Sequence, residues 1–143
     1  MADAREFVDA NVLVYAEDAS AAGKQAKAAE LIGRLWSSRA GCLSVQVLQE
    51  FFVTVTLKVP KRMPTEEAEE RVRDLSRWTV FSPTSHDVLS AIALGRQHRL
   101  SFWDAMIVEA AAQLGCSTLW TEDLRDGSQF RGVLVRNPFS SQG

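Results

Sequence analysis

Acidic residues stand beside apolar segments at several points of the sequence, and they are the residues best suited to chemistry. Asp9 follows the apolar pair Phe7-Val8 directly, and the chain continues with apolar residues at helical spacing. This pattern is typical of a buried strand that ends at an acid and turns into a helix. A carboxylate at the end of a first strand lies where open α/β sheets bind ligands. The other acids in comparable positions are Glu50, Asp104, Asp123 and Asp126.

Carboxylates gathered in one place repel each other unless a cation is present. Oxygen ligands suit Mg²⁺ or Mn²⁺ better than Zn²⁺. The sequence has no Ser-His-Asp set, no phosphate-binding loop and no G-x-G-x-x-G motif, and we expect its two histidines, His86 and His98, on the surface. Since no side-chain nucleophile is in view, we expect a metal-activated water to supply the nucleophile.

The first two acids also have structural interpretations. Asp9 is a suitable N-cap for the helix that follows it. Asn11 is placed to orient Asp9 or a metal-bound water through its amide. Glu50 lies just off the apolar stripe of its helix, and its spacing alone favours exposure to solvent.

The later acids have structural interpretations as well. Ser101 and Asp104 fit a capping box, in which the acid reaches back to the start of its helix. Asp123 and Asp126 occupy a polar loop after an apolar segment, where acids are commonly solvated. Thr121 is placed to hydrogen-bond a neighbouring acid or a water. Taken together, these positions would collect the acids at one edge of a sheet.

Strand and helix patterns alternate along the chain. The predicted strands are residues 6–9, 42–43, 78–81, 117–120 and 132–136. The predicted helices are residues 11–16, 25–37, 45–57 and 102–114, with one more from Thr65 and one from Ser85 or Asp87 to about His98. This alternation predicts an α/β fold with a central parallel sheet covered by helices on both faces.

Length and composition set the remaining limits. The 143 residues suit a single domain over residues 1–143, with a loose tail after about Pro138. No apolar run reaches the roughly 20 residues that a membrane span needs, and no signal peptide is evident, so we expect a cytoplasmic protein. Cys42 and Cys116 are expected to be buried thiols. With a net charge of -2, any nucleic acid must be held by a local patch or by metal.

Four stretches of the sequence resemble the PIN-domain ribonucleases, and most closely the VapC-type toxins of toxin–antitoxin pairs. They are residues 7–16, 47–52, 100–107 and 119–124, which follow one another in the family's order. The resemblance implies a three-layer α/β/α fold around a central parallel sheet. It also implies a metal-dependent endoribonuclease that uses Mg²⁺ or Mn²⁺. Ala10 is a departure, because the family often has threonine or serine there.

The resemblance assigns roles to individual residues. The catalytic and metal-binding acids would be Asp9, Glu50, Asp104 and Asp123. Asn11, Thr121 and Asp126 would support them. Cations outside the site would hold the RNA backbone, and the sequence offers Lys58, Lys61, Arg62, Arg96, Arg99 and Arg125.

The resemblance also implies partners, namely an antitoxin of VapB type and a second copy of the chain in a homodimer. We expect an apolar docking surface drawn from Trp36, Phe51, Phe52 and Trp103, unless these residues simply pack in the core. A PIN fold kept only for binding RNA or protein is an alternative function.

Two other classes fit less well. A haloacid-dehalogenase-type phosphatase needs an acid at position 11, where asparagine stands. A phosphoacceptor receiver module needs a lysine after a late strand, and residues 121–123 contain none.

Overall fold

The computed structural model describes residues 4–140. Its strands are β1 (Glu6–Val8), β2 (Gly41–Ser44), β3 (Thr79–Phe81), β4 (Thr118–Trp120), β5 (Gln129–Phe130) and β6 (Val133–Arg136). Within these residues, they form one sheet in the order β3-β2-β1-β4-β6-β5. Neighbouring strands are parallel except for β5, which is antiparallel to β6 at the edge.

The helices connect the strands. They are α1 (Ala10–Ala16), α2 (Ala22–Ser38), α3 (Val45–Val53), α4 (Thr65–Leu75), α5 (Ser85–His98) and α6 (Phe102–Gln113). A 3₁₀ turn at Ala19–Ala21 precedes α2, and a π-helical turn at Thr54–Lys58 extends α3. Side-chain oxygens of Asp9, Ser44 and Ser101 cap α1, α3 and α6 at their N-termini, which satisfies backbone amides that have no partner inside the helix.

The strand order decides which helices share a face of the sheet. The chain passes from β1 to β2 and from β2 to β3 in one direction, and then crosses back over both to reach β4. Because crossovers between parallel strands are right-handed, α1 to α4 cover one face and α5 with α6 cover the other. The result is a three-layer α/β/α fold. The order reverses between β1 and β4, and ligands of open α/β sheets bind at such a point.

The core lies on both faces of the sheet. Phe7 and Leu119 are fully buried in neighbouring strands, and every residue of α6 from Ala105 to Ala111 is buried. That run includes Glu109, whose carboxylate pairs with Arg131 and accepts a hydrogen bond from Gln113 at 2.8 Å. Cys42 and Cys116 are buried free thiols, as expected. None of the helices between residues 4 and 140 is long and apolar enough to cross a membrane.

The predicted fold class is confirmed, and the predicted elements differ in detail. The short strand β5 was not foreseen, because a two-residue strand has no periodicity to detect. The helix predicted over residues 45–57 becomes π-helical at Thr54. The tail expected after Pro138 falls partly on residues 141–143, which lie outside the described residues. Phe139 packs edge-on against the Tyr15 ring, with ring centroids 5.0 Å apart.

Candidate active site

Asp9 lies at the carboxyl end of β1 and is only 4% exposed. Its Oδ1 accepts a hydrogen bond from the Ala10 amide at 2.7 Å, which is the N-cap contact of α1. Its Oδ2 accepts the hydroxyl hydrogen of Thr121 at 2.8 Å. Asp9 is therefore both a cap and a member of a wider network, so its structural and chemical interpretations are compatible.

Thr121 and Asn11 connect the ends of β1 and β4. Thr121 is fully buried, and its Oγ1 accepts hydrogen bonds from the Asp123 amide at 3.1 Å and from Asn11 Nδ2 at 3.3 Å. The Asn11 Oδ1 accepts from the Glu122 amide at 3.3 Å. Both residues were expected to support the acids. Here they hold the loop after β4 against Asp9.

The electrostatic state of Asp9 reflects this location. Burial raises the pKa of its carboxyl group from 3.8 to about 7, because a charged carboxylate loses its hydration there. The hydrogen bonds from Thr121 and Ala10 act in the opposite direction, while the negative charges of Asp123 and Glu50 raise the pKa further. Asp9, Asp123 and Glu50 thus lie within electrostatic range of one another.

Asp104 lies in the first turn of α6 and is half-buried. Burial raises the pKa of its carboxyl group, the Ser101 hydroxyl lowers it, and the charge of Asp123 raises it. The Asp104 amide donates to Ser101 Oγ at 3.1 Å, which is half of the expected capping box. A complete capping box occurs instead at Thr84 and Asp87 at the start of α5.

Glu50 is exposed on α3, as its spacing alone suggested, yet it is tied to the same region. Gln46 donates from Nε2 to Glu50 Oε1 at 2.6 Å and to the Trp103 carbonyl at 3.3 Å. The start of α3 is thereby linked to the start of α6. The structure brings Asp9, Glu50, Asp104 and Asp123 to one region at the carboxyl edge of the sheet.

Asp126 lies apart from this group. Its Oδ1 accepts a hydrogen bond from the Asn137 amide at 2.9 Å, and it lines a separate pocket of about 460 Å³ with Trp120 and Arg136. Its position therefore matches a loop-stabilising role.

The four acids offer a metal ion oxygen ligands only. Among residues 4–140, no group of three or more histidine, cysteine, aspartate or glutamate side chains is already arranged around one point. Mg²⁺ keeps several waters and needs only one or two direct carboxylates, so this arrangement still fits it. Asp9 provides the chemical reason for a cation, because the negative charges of Asp123 and Glu50 act on its buried carboxyl group.

Other expected residues are distributed over the surface. Lys61 and Arg62 line a groove with Glu17 and Asp18, at the end of α1 opposite to Asp9. Four more of the named cations are exposed, namely Lys58, Arg96, Arg99 and Arg125. Within residues 4–140, none of these four belongs to an ion pair.

The residues expected to form an apolar docking surface divide into two groups. Phe51 is 1% exposed and belongs to the core, so its expected place on that surface was wrong. Phe52 is half-buried against the core. Trp36 and Trp103 are 40% and 63% exposed, so these two indoles face solvent.

Sequence reasoning missed Glu122, which borders the site. Its carboxylate pairs with Lys24 and accepts the Tyr15 hydroxyl hydrogen at 3.0 Å, while its amide donates to Asn11. All three partners lie 98 to 111 positions before Glu122 in the sequence, and a loop acid next to Asp123 gave no separate signal. This cluster anchors the loop after β4 on the side of α2.

The fold and the position of the acids can be compared with known proteins. Residues 7–130 match the model of the PIN domain family, so the chain belongs to that family. No curated protein matches the sequence.

Solved structures have the same fold at low sequence identity. A toxin–antitoxin complex from Klebsiella pneumoniae is 19% identical, with a TM-score of 0.67 and coverage of 93% of this chain and 97% of that one. VapBC2 from Rickettsia felis, bound to a DNA fragment from their promoter, is 18% identical, with a TM-score of 0.63 and coverage of 92% and 97%. VapC20 from Mycobacterium tuberculosis, a toxin that cleaves the sarcin–ricin loop, is 20% identical, with a TM-score of 0.60 and coverage of 80% and 86%.

Proposed function

We propose that this PIN-domain protein is a metal-dependent endoribonuclease and the toxin of a VapC-type toxin–antitoxin pair. The observation that carries the proposal is the buried Asp9, held by Thr121 and lying within electrostatic range of Glu50 and Asp123. An acid without hydration among other acids is unfavourable for folding, so a site of this kind indicates a function. The likeness in fold to toxin structures supports the biological role.

In this proposal the four acids bind the metal in two ways. Asp9 and Asp104 would hold Mg²⁺ or Mn²⁺ directly, with Glu50 and Asp123 acting directly or through water. When bound, the cation makes hydroxide available near neutral pH and neutralises charge on the phosphate. Thr121 keeps one Asp9 oxygen in a fixed direction through its hydroxyl, and Asn11 fixes the loop that carries Asp123. Arg96, Arg99 and Arg125 would contact the RNA backbone.

The test is RNA cleavage by purified protein. A pool of 20-nucleotide RNAs of random sequence is incubated with Mg²⁺, with Mn²⁺ or with excess chelator, and the new ends are sequenced. We expect cleavage at defined sites with either metal and none in chelator. Asp9→Asn controls for contaminating nuclease and should be inactive. Equal cleavage in chelator would contradict the metal mechanism.

A PIN fold kept only for binding is the second candidate. It is favoured by the lack of a preformed group of three ligand side chains within residues 4–140. The same assay separates the two functions. Protein that retains the RNA pool on a filter but leaves it intact with both metals would be a binding module.

The proposed antitoxin would dock on the face of α1 to α4. A groove of about 330 Å³ lies there, lined by Leu13, Ile32, Trp36 and Leu75, with Arg71 and Arg77 at its margin. The proposed homodimer would use the exposed pair Leu89 and Ile92 on α5. Sedimentation at tens of micromolar tests the dimer. A monomer for both the parent and Leu89→Asp would count against it.

A small DNA-binding protein encoded next to this chain would be the partner to test for the antitoxin role. Its co-expression should suppress cleavage by the parent, and Trp36→Asp should weaken the complex. A complex that is unchanged by Trp36→Asp would place the antitoxin on another face.

A further inference from the structure

We propose that the ring pair of Phe102 and Trp103, here called the aromatic ledge, stacks an unpaired base of the RNA strand beside the acids. This inference rests on the proposed function and adds to it a contact for a base rather than for the backbone. The bases of a duplex are stacked on one another, so their faces are not available to a protein ring.

The aromatic ledge is exposed although it is large and apolar. Trp103 is 63% exposed and Phe102 is 36% exposed. Their rings pack edge to face with centroids 4.9 Å apart. The Phe102 ring therefore limits the positions open to the indole, and the indole keeps most of its surface in solvent. A ring that is held in place but left exposed can stack a flat partner at a low entropic cost.

The aromatic ledge is joined to the acids on both sides. Trp103 directly precedes Asp104 in the first turn of α6, where Ser101 caps the helix. The Trp103 carbonyl accepts a hydrogen bond from Gln46, and Gln46 also binds the Glu50 carboxylate at 2.6 Å. The aromatic ledge therefore lies beside Asp104 and is linked to Glu50, two acids of the proposed metal site.

The charges of this region favour a neutral contact. Asp104 directly follows the aromatic ledge and Glu50 is linked to it through Gln46, and their negative charge repels a polyanion where no metal compensates it. An aromatic face binds a base without depending on charge, and every base offers such a face. Exposed Arg99, four residues before Trp103 in the sequence, would attract the RNA backbone.

A second copy of the chain is the competing occupant, since exposed aromatic rings also occur at protein interfaces. The observations favour RNA, because the aromatic ledge continues directly into the acid cluster. The exposed aliphatic pair Leu89 and Ile92 lies on α5, away from the helix end that precedes the ledge, and offers the apolar surface for a copy.

Fluorescence anisotropy with labelled RNA tests the inference without requiring cleavage. The probes are a single-stranded 20-nucleotide pool, a 20-base-pair duplex and an abasic 20-mer, with Ca²⁺ in place of Mg²⁺ and RNA integrity checked on a gel. Trp103→Ala should bind the single-stranded pool about ten-fold more weakly than the parent. Trp103→Phe keeps an aromatic face and should stay within about three-fold. Leu57→Ala, which removes an apolar side chain that is 58% exposed, should bind like the parent.

The abasic strand and the duplex give the result that only stacking explains. On both, Trp103→Ala should match the parent, because neither offers a free base face. Unchanged binding of the pool by Trp103→Ala, or an equal loss on the abasic strand, would overturn the inference. A shift of Trp103→Ala from dimer to monomer in sedimentation, together with weaker RNA binding, would assign the aromatic ledge to a protein contact.

The aromatic ledge and the activity can fail separately. If the parent binds the pool through Trp103 but leaves RNA intact with Mg²⁺ and Mn²⁺, the proposed activity is wrong and the aromatic ledge stands. If the parent cleaves RNA and Trp103→Ala binds normally, the aromatic ledge is wrong and the activity stands. If the parent binds none of the probes, both are wrong.

Discussion

Thr121 donates its hydroxyl hydrogen to Asp9 Oδ2 at 2.8 Å and so joins the carboxyl ends of β1 and β4. The two residues are 112 positions apart in the sequence. Their strands are neighbours at the point where the strand order reverses. The same hydroxyl oxygen accepts from Asn11 and from the Asp123 amide, so one buried side chain sets the positions of three site residues.

Replacing Thr121 by valine removes this hydroxyl while keeping the shape of the side chain. Asp9 then keeps only its bond from Ala10, and the Asp123 amide loses its acceptor. We expect a loss of about 1–3 kcal/mol in urea unfolding. Cleavage should be strongly reduced, and Thr121→Ser should restore both stability and activity. Thr118→Val on the same strand is the control. Full activity in Thr121→Val would contradict a positioning role.

The buried carboxyl group of Asp9 should make the metal-free protein sensitive to pH. Its pKa is 3.8 when unfolded and about 7 when folded, so between these values the folded state binds the extra proton. The contribution of protonated Asp9 to the free energy of unfolding is therefore fully present below pH 3.8 and falls as the pH rises towards 7. In chelator, the free energy of unfolding of Asp9→Asn should not show this fall. Between acidic and neutral pH the variant should therefore become more stable relative to the parent, by on the order of a few kcal/mol. Urea unfolding at both ends of the range measures it, and parallel profiles would contradict the shift.

Asp104→Asn should separate a metal-site role from a capping role. The variant keeps the hydrogen bond to Ser101 Oγ, because the donor is the backbone amide of residue 104. In chelator near pH 7 it should melt at the parent's temperature or above, since it removes a charge near Asp123. Saturating Mg²⁺ should reduce or reverse this difference in melting temperature, because the metal stabilises the parent by about 2.7 kcal/mol at 100 times its dissociation constant.

Asp87→Asn is the matched control for that experiment. Asp87 accepts from the Thr84 amide at 2.8 Å in a complete capping box, so its loss should destabilise by some tenths to about 1 kcal/mol in both buffers. Thermal melts of the three proteins give the comparison. If Asp104→Asn behaves like Asp87→Asn and still cleaves RNA, Asp104 is only a cap.

Asp126→Ala should leave cleavage nearly unchanged. Asp126 lies in the loop before β5, and its carboxylate accepts from the amide of Asn137, which follows β6. The variant should therefore lose about 0.5–1.5 kcal/mol of stability. Asp123→Ala is the paired variant. It should abolish cleavage, because the charge of Asp123 acts on both Asp9 and Asp104 and raises the pKa of each. Initial rates on the same RNA decide between them. A large loss in Asp126→Ala would return that residue to the site.

Gly41→Ala tests the packing of β2 against Trp78, which lies between α4 and β3. A Cβ atom at Gly41 would lie 2.6 Å from the Trp78 ring, which is buried and cannot move freely. We expect a loss of about 1–3 kcal/mol. Gly33→Ala is the control, because a Cβ there meets nothing within 4 Å. It should stabilise α2 by about 0.5–1 kcal/mol. Equal unfolding midpoints for the two variants would contradict this packing.

The sequence by itself determined the fold class and the acids worth examining. Alternating strand and helix patterns predicted a parallel sheet, because hydrophobic periodicity depends on residues close together in the chain. The same local pattern placed Asp9 after the first strand and Asp104 in the first turn of a helix. Local signals also gave the caps at Asp9 and Ser101.

Only the tertiary structure decided which of these residues act together. Asp123 and Asp126 look alike in the sequence, yet one lies near Asp9 and the other binds the Asn137 amide. Phe51 and Trp103 are both large apolar residues, and the structure buries one and exposes the other. The strand order brings β1 beside β4 and so Asp9 to Thr121. Such long-range contacts depend on the packing of the whole chain, and a local pattern contains no information about them.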